Sequence, residues 1–287
     1  MKINRIYLAG SFYDWRDKVK RAMPSQKVAD PRDSPQNSIA DLVSNDMNEA
    51  ERCSKMLIGL PKGKSLPTMT YAEAGAAYYS GNKVYVVDEN EEKEPLLNAL
   101  ACRRFSNFDD AIKTLRRIGY YEEEKLYSDR TLRDEEKKER EDEEDEARRA
   151  SYEDCAKRDV KKILLLGDFL EPPSKFWNTG KEIAFKYEFA DIPQFNQNND
   201  LLVINFNRGK REKKDIFFMG VAYAAGVPIV MNEANPIIYP PLAGLARRIF
   251  TGPERFDILK DYLTEVKSND INSEAKVMYG LFQKYKS

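Results

Sequence analysis

The chain has 287 residues, enough for two domains with cores of their own. Its 47 Lys and Arg residues balance 48 Asp and Glu, which points to neither nucleic acid nor an acidic membrane surface as a partner. Histidine is absent, so Ser-His-Asp or Cys-His catalysis and His-ligated metals are excluded, and acid–base chemistry falls to carboxylates, Tyr, Lys or Cys.

Met1 to Arg5 run straight into a strand-like segment, so no signal peptide is expected. The first predicted strand, Ile6–Ala9, ends in Gly10-Ser11-Phe12-Tyr13-Asp14-Trp15-Arg16. In an open α/β sheet, ligands bind beyond the carboxyl ends of the strands. There Gly10 lets a ligand approach the backbone, Ser11 offers a hydroxyl, and Arg16 can hold an anion. Phe12 or Trp15 can stack on a base. The competing reading is a helix start with Asp14 as cap and Arg16 solvated, and the residues alone leave both open.

Ser44–Ala50 reads as a helix with Leu42, Met47 and Ala50 on its apolar side, leading into a strand at Met56–Leu60. Asp46 on that helix is either a solvated aspartate or one of two carboxylates flanking a sugar, as glycosyl chemistry requires. Thr70 to Val87 then reads as a helix, a stop and a buried strand. Ala74, Ala77 and Tyr78 repeat at helical spacing, Gly81 offers a left-handed cap, and Val84–Val87 is a β-branched run. Glu73 is expected near this helix's N-terminus, where the macrodipole favours an ionised, nucleophilic carboxylate.

Glu122 to Ala150 is almost wholly charged, with acid-first pairs such as Asp134/Lys138 and Glu144/Arg148 one turn apart. It is expected to be a solvated helical spacer, with binding of a basic partner as the alternative. Beyond it the chain repeats itself. Ile163–Phe169 echoes Ile6–Phe12, and Met56–Pro61 falls on Leu201–Phe206 at an offset of 145. At the same offset Gly75 falls on Gly220, Gly81 on Gly226 and Asp46 on Asp191. Glu73 falls on Phe218, so the second copy is expected to be catalytically silent. The predicted fold is α/β: two flavodoxin-like, Rossmann-type parallel-sheet domains from an internal duplication. The expected boundaries are 1–118 for the first domain, 119–158 for the charged helical linker and 159–287 for the degenerate copy.

Cys53, Cys102 and Cys155 are odd in number and far apart, which fits a reducing compartment and excludes a C-x-x-C site. No apolar run approaches a membrane span, and a cytoplasmic location is expected.

Tyr7, Gly10-Ser11, Trp15-Arg16, Asp30-Pro31-Arg32, Asn45-Asp46, Met56–Pro61 and Glu73-Ala74-Gly75 through Gly81-Asn82-Lys83-Val84 together resemble the nucleoside 2-deoxyribosyltransferase family, which also includes nucleotide N-glycoside hydrolases. The resemblance covers residues 3–116 and, more weakly, 160–262. It implies Glu73 as nucleophile at C1′ of a sugar, Tyr7 orienting it, and Asp46 holding the sugar or acting as acid to the leaving base. The sugar then passes to water or to a free base as acceptor. No metal or organic cofactor is implied. Where the transferases carry an Asp six residues before the nucleophile, this chain has Pro67. The loop around it, with Lys62, Lys64, Ser65 and Thr68, suits a 5′-phosphate better than a free hydroxyl. The expected substrate is thus a nucleoside or its 5′-monophosphate. Family members are oligomers that share sites, so the duplication implies a pseudo-dimer within one chain, whose first site Asn235–Tyr239 or the Asn98 region would close. Further oligomerisation is left open. The alternative is a non-catalytic nucleotide-binding or scaffold protein that kept the fold.

Overall fold

The computed structural model describes residues 2–23, 27–33, 39–127, 162–167, 182–185, 195, 200–206, 211–233, 239–246 and 248–251. The first half runs β1 (Ile3–Gly10), α1 (Trp15–Ala22), β2 (Val28–Ala29), a 3-10 turn (Pro31–Asp33), α2 (Ile39–Arg52) and β3 (Cys53–Leu60). It continues with α3 (Met69–Tyr79), β4 (Lys83–Asp88), α4 (Pro95–Leu100), β5 (Arg103–Phe105) and α5 (Phe108–Tyr127). The second half has β6 (Lys162–Gly167), β7 (Glu182–Phe185), β8 (Asp200–Phe206), α6 (Lys213–Ala224), β9 (Ile229–Glu233), α7 (Pro240–Ala243) and β10 (Arg248–Thr251).

Among the described residues, every strand pair is parallel. The sheets are ordered β2-β1-β3-β4-β5 and β10-β9-β8-β6-β7. Counted from the start of each half, both orders are 2-1-3-4-5, the flavodoxin-like arrangement. The α/β duplication expected from the sequence is therefore present in the topology. The predicted spacer pairs from Asp134 to Arg149 lie outside the described residues, as do Asp191 and Asn235.

Alternation along β1 distributes its side chains between two cores. Ile6 and Leu8 pack with Trp15 and Val19 of α1 and Phe108 and Leu115 of α5. Tyr7 and Ala9 face the other way, toward α2 and α3. Burial of each such large apolar side chain contributes about 1.5–3 kcal/mol. The second core is continuous across both halves, taking in Phe217, Phe218 and Val221 of α6.

Helices α3 and α6 cross at two glycines. A Cβ on Gly75 would run into the Phe217 carbonyl, and one on Gly220 into the Ala72 carbonyl. Ala72 and Phe217 are themselves 145 positions apart, so each helix presents the same patch to the other. This is the self-complementary contact of a twofold interface, made within one chain. Both helices also stop alike. Gly81 and Gly226 have φ of 69° and 68°. The amides after them, Asn82 and Val227, donate to Ala77 and Ala222. One detail differs from the sequence alignment. Gly10 pairs with Gly59, and its counterpart Gly167 pairs with Asn205, which shifts β8 one residue from the offset that fits the helices.

Candidate active site

Tyr7, Glu73 and Asp46 are brought together from three elements. The Tyr7 hydroxyl donates to Glu73 Oε1 at 3.0 Å, wholly buried. Tyr7 comes from β1 and Glu73 from α3, which packs against that strand. Asp46, on α2, is 7% exposed and has no hydrogen-bond partner among the described residues.

The expectation for Glu73 needs correction. Helix α3 begins at Met69, so Glu73 sits in its second turn, and the first turn holds no acid. Burial decides its ionisation: desolvation and the Asp46 charge push its carboxyl up to about 8, against the lowering pull of Arg16 and the Tyr7 hydrogen bond. Asp46 is pushed up to about 7 by burial and by Asp30 and Glu49, with Arg16 opposing. Burial and the charges of Glu73 and Asp46 hold the Tyr7 hydroxyl well above its usual range, so it remains a donor. Two such carboxyls share protons near neutrality, which equips one to attack and the other to give a proton.

Other predicted residues fall into supporting places. Gly10 has φ of 109°, and a Cβ there would meet the Gly59 carbonyl, so close strand packing demands the glycine. The Ser11 hydroxyl donates to the Ser65 carbonyl at 2.9 Å and ties β1 to the loop before α3. Trp15 is core: it stacks on Phe108 with centroids 5.1 Å apart, and its indole N–H donates to the Ser11 carbonyl. Arg16 is neither solvated nor offered to an anion. Its guanidinium donates to the carbonyls of Leu8, Gly10 and Ser11 and to Asp30 Oδ1. It caps the carboxyl end of β1 and supplies the positive charge felt by both site carboxyls. Asp14 takes the cap position of α1 without a side-chain bond.

Phe12 alone of the predicted stacking residues is open, 59% exposed, with the Arg16 guanidinium over its ring. Lys62, Lys64 and Ser65 are exposed, and Lys64 Nζ stands 4.7 Å from the centre of the Tyr13 ring. Thr68 takes the cap position of α3 with no side-chain cap bond.

A cleft of about 230 Å³ opens between β1, β2 and α2. Tyr7 and Asp46 line it, with Asp30, Asp33, Glu49 and Arg5. Glu49 follows Asp46 by three residues, so helical spacing places both on one face of α2. The second half also contributes. Helix α7 packs on α2, and Tyr239 at its start feels the Glu73 charge, which with burial raises its phenol. The sequence reading missed Glu49, Asp33 and Arg5, although the Asp46/Glu49 spacing was a usable signal. Asn98 donates to the Glu94 carbonyl within its own helix.

No family model and no curated protein matches the chain. Among solved structures, "Putative sugar binding protein" from Salmonella typhimurium LT2 is 14% identical and is matched over 95% of this chain and 87% of its own. Its TM-score is 0.26, too low for the likeness to carry any argument. Among the described residues, no helix is long and apolar enough to cross a membrane.

Proposed function

We propose that the first half cleaves or transfers at the N-glycosidic bond of nucleosides or their 5′-monophosphates. The buried Tyr7–Glu73 hydrogen bond beside the unpartnered Asp46 carries this reading. A Glu73 carboxylate oxygen attacks C1′. The C1′–N bond breaks, its electron pair goes to the base nitrogen, and the Asp46 carboxyl supplies the proton. Water or a free base, deprotonated by the Asp46 carboxylate, then attacks C1′ and releases Glu73. Tyr7 holds the reacting carboxylate in place and Arg16 moderates the charge of both acids.

A 5′-phosphate would stand by Lys62, Lys64 and Thr68, on the β3 side of the sheet, away from the acidic cleft on the β2 side. The non-catalytic reading is favoured for the second half alone, where Phe218 replaces Glu73. Incubation with nucleosides and 5′-monophosphates, with and without a free base, tests the proposal by released base and new nucleoside. No release from any substrate by folded protein would refute it.

A further inference from the structure

The cleft between β1, β2 and α2 has a composition that the reaction itself does not require. Beyond Tyr7 and Asp46, its polar wall is Asp30, Asp33 and Glu49, with Arg5 as the single cation in the lining. Arg5 Nη2 donates to the Val28 carbonyl at 3.0 Å and Nη1 lies 3.4 Å from Glu49, while Nε is buried without a hydrogen-bond partner among the described residues. The cations behind the wall are engaged. Arg16 and Arg32 pair with Asp30, and Lys20 pairs with Asp33. Ala29 and Pro31 complete the lining with apolar surface that a flat ring can rest on.

Carboxylates only accept hydrogen bonds when ionised. Each wall carboxylate is ion-paired, Glu49 with Arg5, Asp30 with Arg16 and Arg32, and Asp33 with Lys20, so its charge is largely balanced. The lone pairs left toward the cleft meet a carbonyl oxygen lone pair to lone pair. Such a wall suits a neutral ring edge that donates N–H. Asp46 marks the end of the cleft where the leaving base must stand, because it is more than nine-tenths buried, lacks a partner among the described residues, and lines this space.

We infer that this cleft receives the leaving base and selects one with an exocyclic amino group, cytosine or adenine, over uracil, thymine or hypoxanthine. Glu49 and Asp33 are the residues that set the choice. The inference rests on the glycosidic reading of the site, but its test is separable from it. One hydrogen bond to a charged acceptor is worth about tenfold or more.

The first measurement is kcat/KM for base release from cytidine against uridine and adenosine against inosine, in ribo and 2′-deoxy forms. The second is calorimetric titration of Glu73→Ala with the free bases cytosine, uracil, adenine and hypoxanthine. The amino-bearing partner of each pair is expected to lead by at least about tenfold in both. In Glu49→Gln and in Asp33→Asn, where the new amide can also donate, that ratio should fall toward one. Base release without preference overturns the inference and leaves the glycosidic reading intact. Preferential binding with no release from any substrate keeps the cleft's selectivity and overturns the glycosidic reading. Binding of no base, or a ratio unmoved in both variants, overturns the assignment.

Discussion

The two halves of this chain share one topology and differ where chemistry would occur. In the first, Tyr7 on β1 and Glu73 on α3 form a buried hydrogen-bonded pair. In the second, the pairing of Gly10 with Gly59 and of Gly167 with Asn205 aligns Tyr7 with Leu164. The helix offset aligns Glu73 with Phe218. Leu164 and Phe218 are both buried and apolar, and both belong to the core that spans the halves. A buried carboxyl costs free energy unless its charge is compensated or it takes up a proton, and an apolar side chain in the same place stabilises. The matching place in the second half is core. The first half holds a buried acid pair at the matching place, and perturbed carboxyls of this kind cluster at functional sites.

The sharpest way to break this contrast is to remove the acid from the first half. Glu73→Ala is expected to lower base release by three orders of magnitude or more, since a covalent nucleophile is lost. Circular dichroism should show the fold intact. Near-normal turnover would mean that Glu73 and Phe218 differ for structural reasons only.

The matched change in the second half should act on stability instead. Phe218→Ala removes a wholly buried ring that meets Phe217 edge-on at 5.6 Å. Its expected cost is about 3–5 kcal/mol in chemical denaturation. Turnover per folded molecule should stay unchanged. A loss of turnover at constant stability would show that the second half takes part in chemistry through this position.

How far the halves form one body is tested at their crossing. Gly75→Ala and Gly220→Ala each force a methyl group against a backbone carbonyl of the opposite helix. Each should cost about 1–3 kcal/mol. The double variant should cost less than the sum, because the first methyl already parts the helices. Full additivity would mean that the two contacts are independent and the crossing is not a single two-sided interface.

Local features of this fold were legible because they are written in adjacent residues. Val84–Val87 and Gly81 mark a strand and a helix stop without reference to anything distant. That Tyr7, Asp46 and Glu73 lie together was legible, and their state was less so. Glu73 was expected to be ionised by a helix end, but its state is set by burial and by Asp46, Arg16 and Tyr7. No local window contains those. Trp15 was offered to a ligand for the same reason, since Phe108, on which it stacks, lies far along the chain; Arg16 is held closer to home, by Asp30 and by the carbonyls of Leu8, Gly10 and Ser11. The basic loop at Lys62–Thr68 is a weaker sign of a phosphate than it first appears. The second half keeps Arg208, Lys210 and Arg211 in the corresponding stretch of sequence.

The remaining prediction concerns pH, and it separates the halves by titration. Glu73 and Asp46 titrate in the folded protein near 8 and near 7, against 4.5 and 3.8 for the same groups free in water. The native state therefore binds protons that the unfolded chain has released. Stability contributed by these protons is complete below the unfolded values and is lost as pH rises through the folded ones. Denaturation midpoints should fall between about pH 5 and pH 8, and Glu73→Gln should flatten part of that fall. Activity needs one proton on the pair, so kcat/KM for base release should form a narrow bell between limbs near 7 and 8. Outside the bell it should drop about tenfold per pH unit. In Asp46→Asn the basic limb should vanish. The acidic limb should then report Glu73 alone and lie no lower than in the pair, because the pair's first proton can leave from either acid. In Tyr7→Phe the acidic limb should move up, since the hydrogen bond that favours the Glu73 carboxylate is gone. A bell unmoved by either change would place the titrating groups elsewhere. The first half would then be no more an acid–base site than the second.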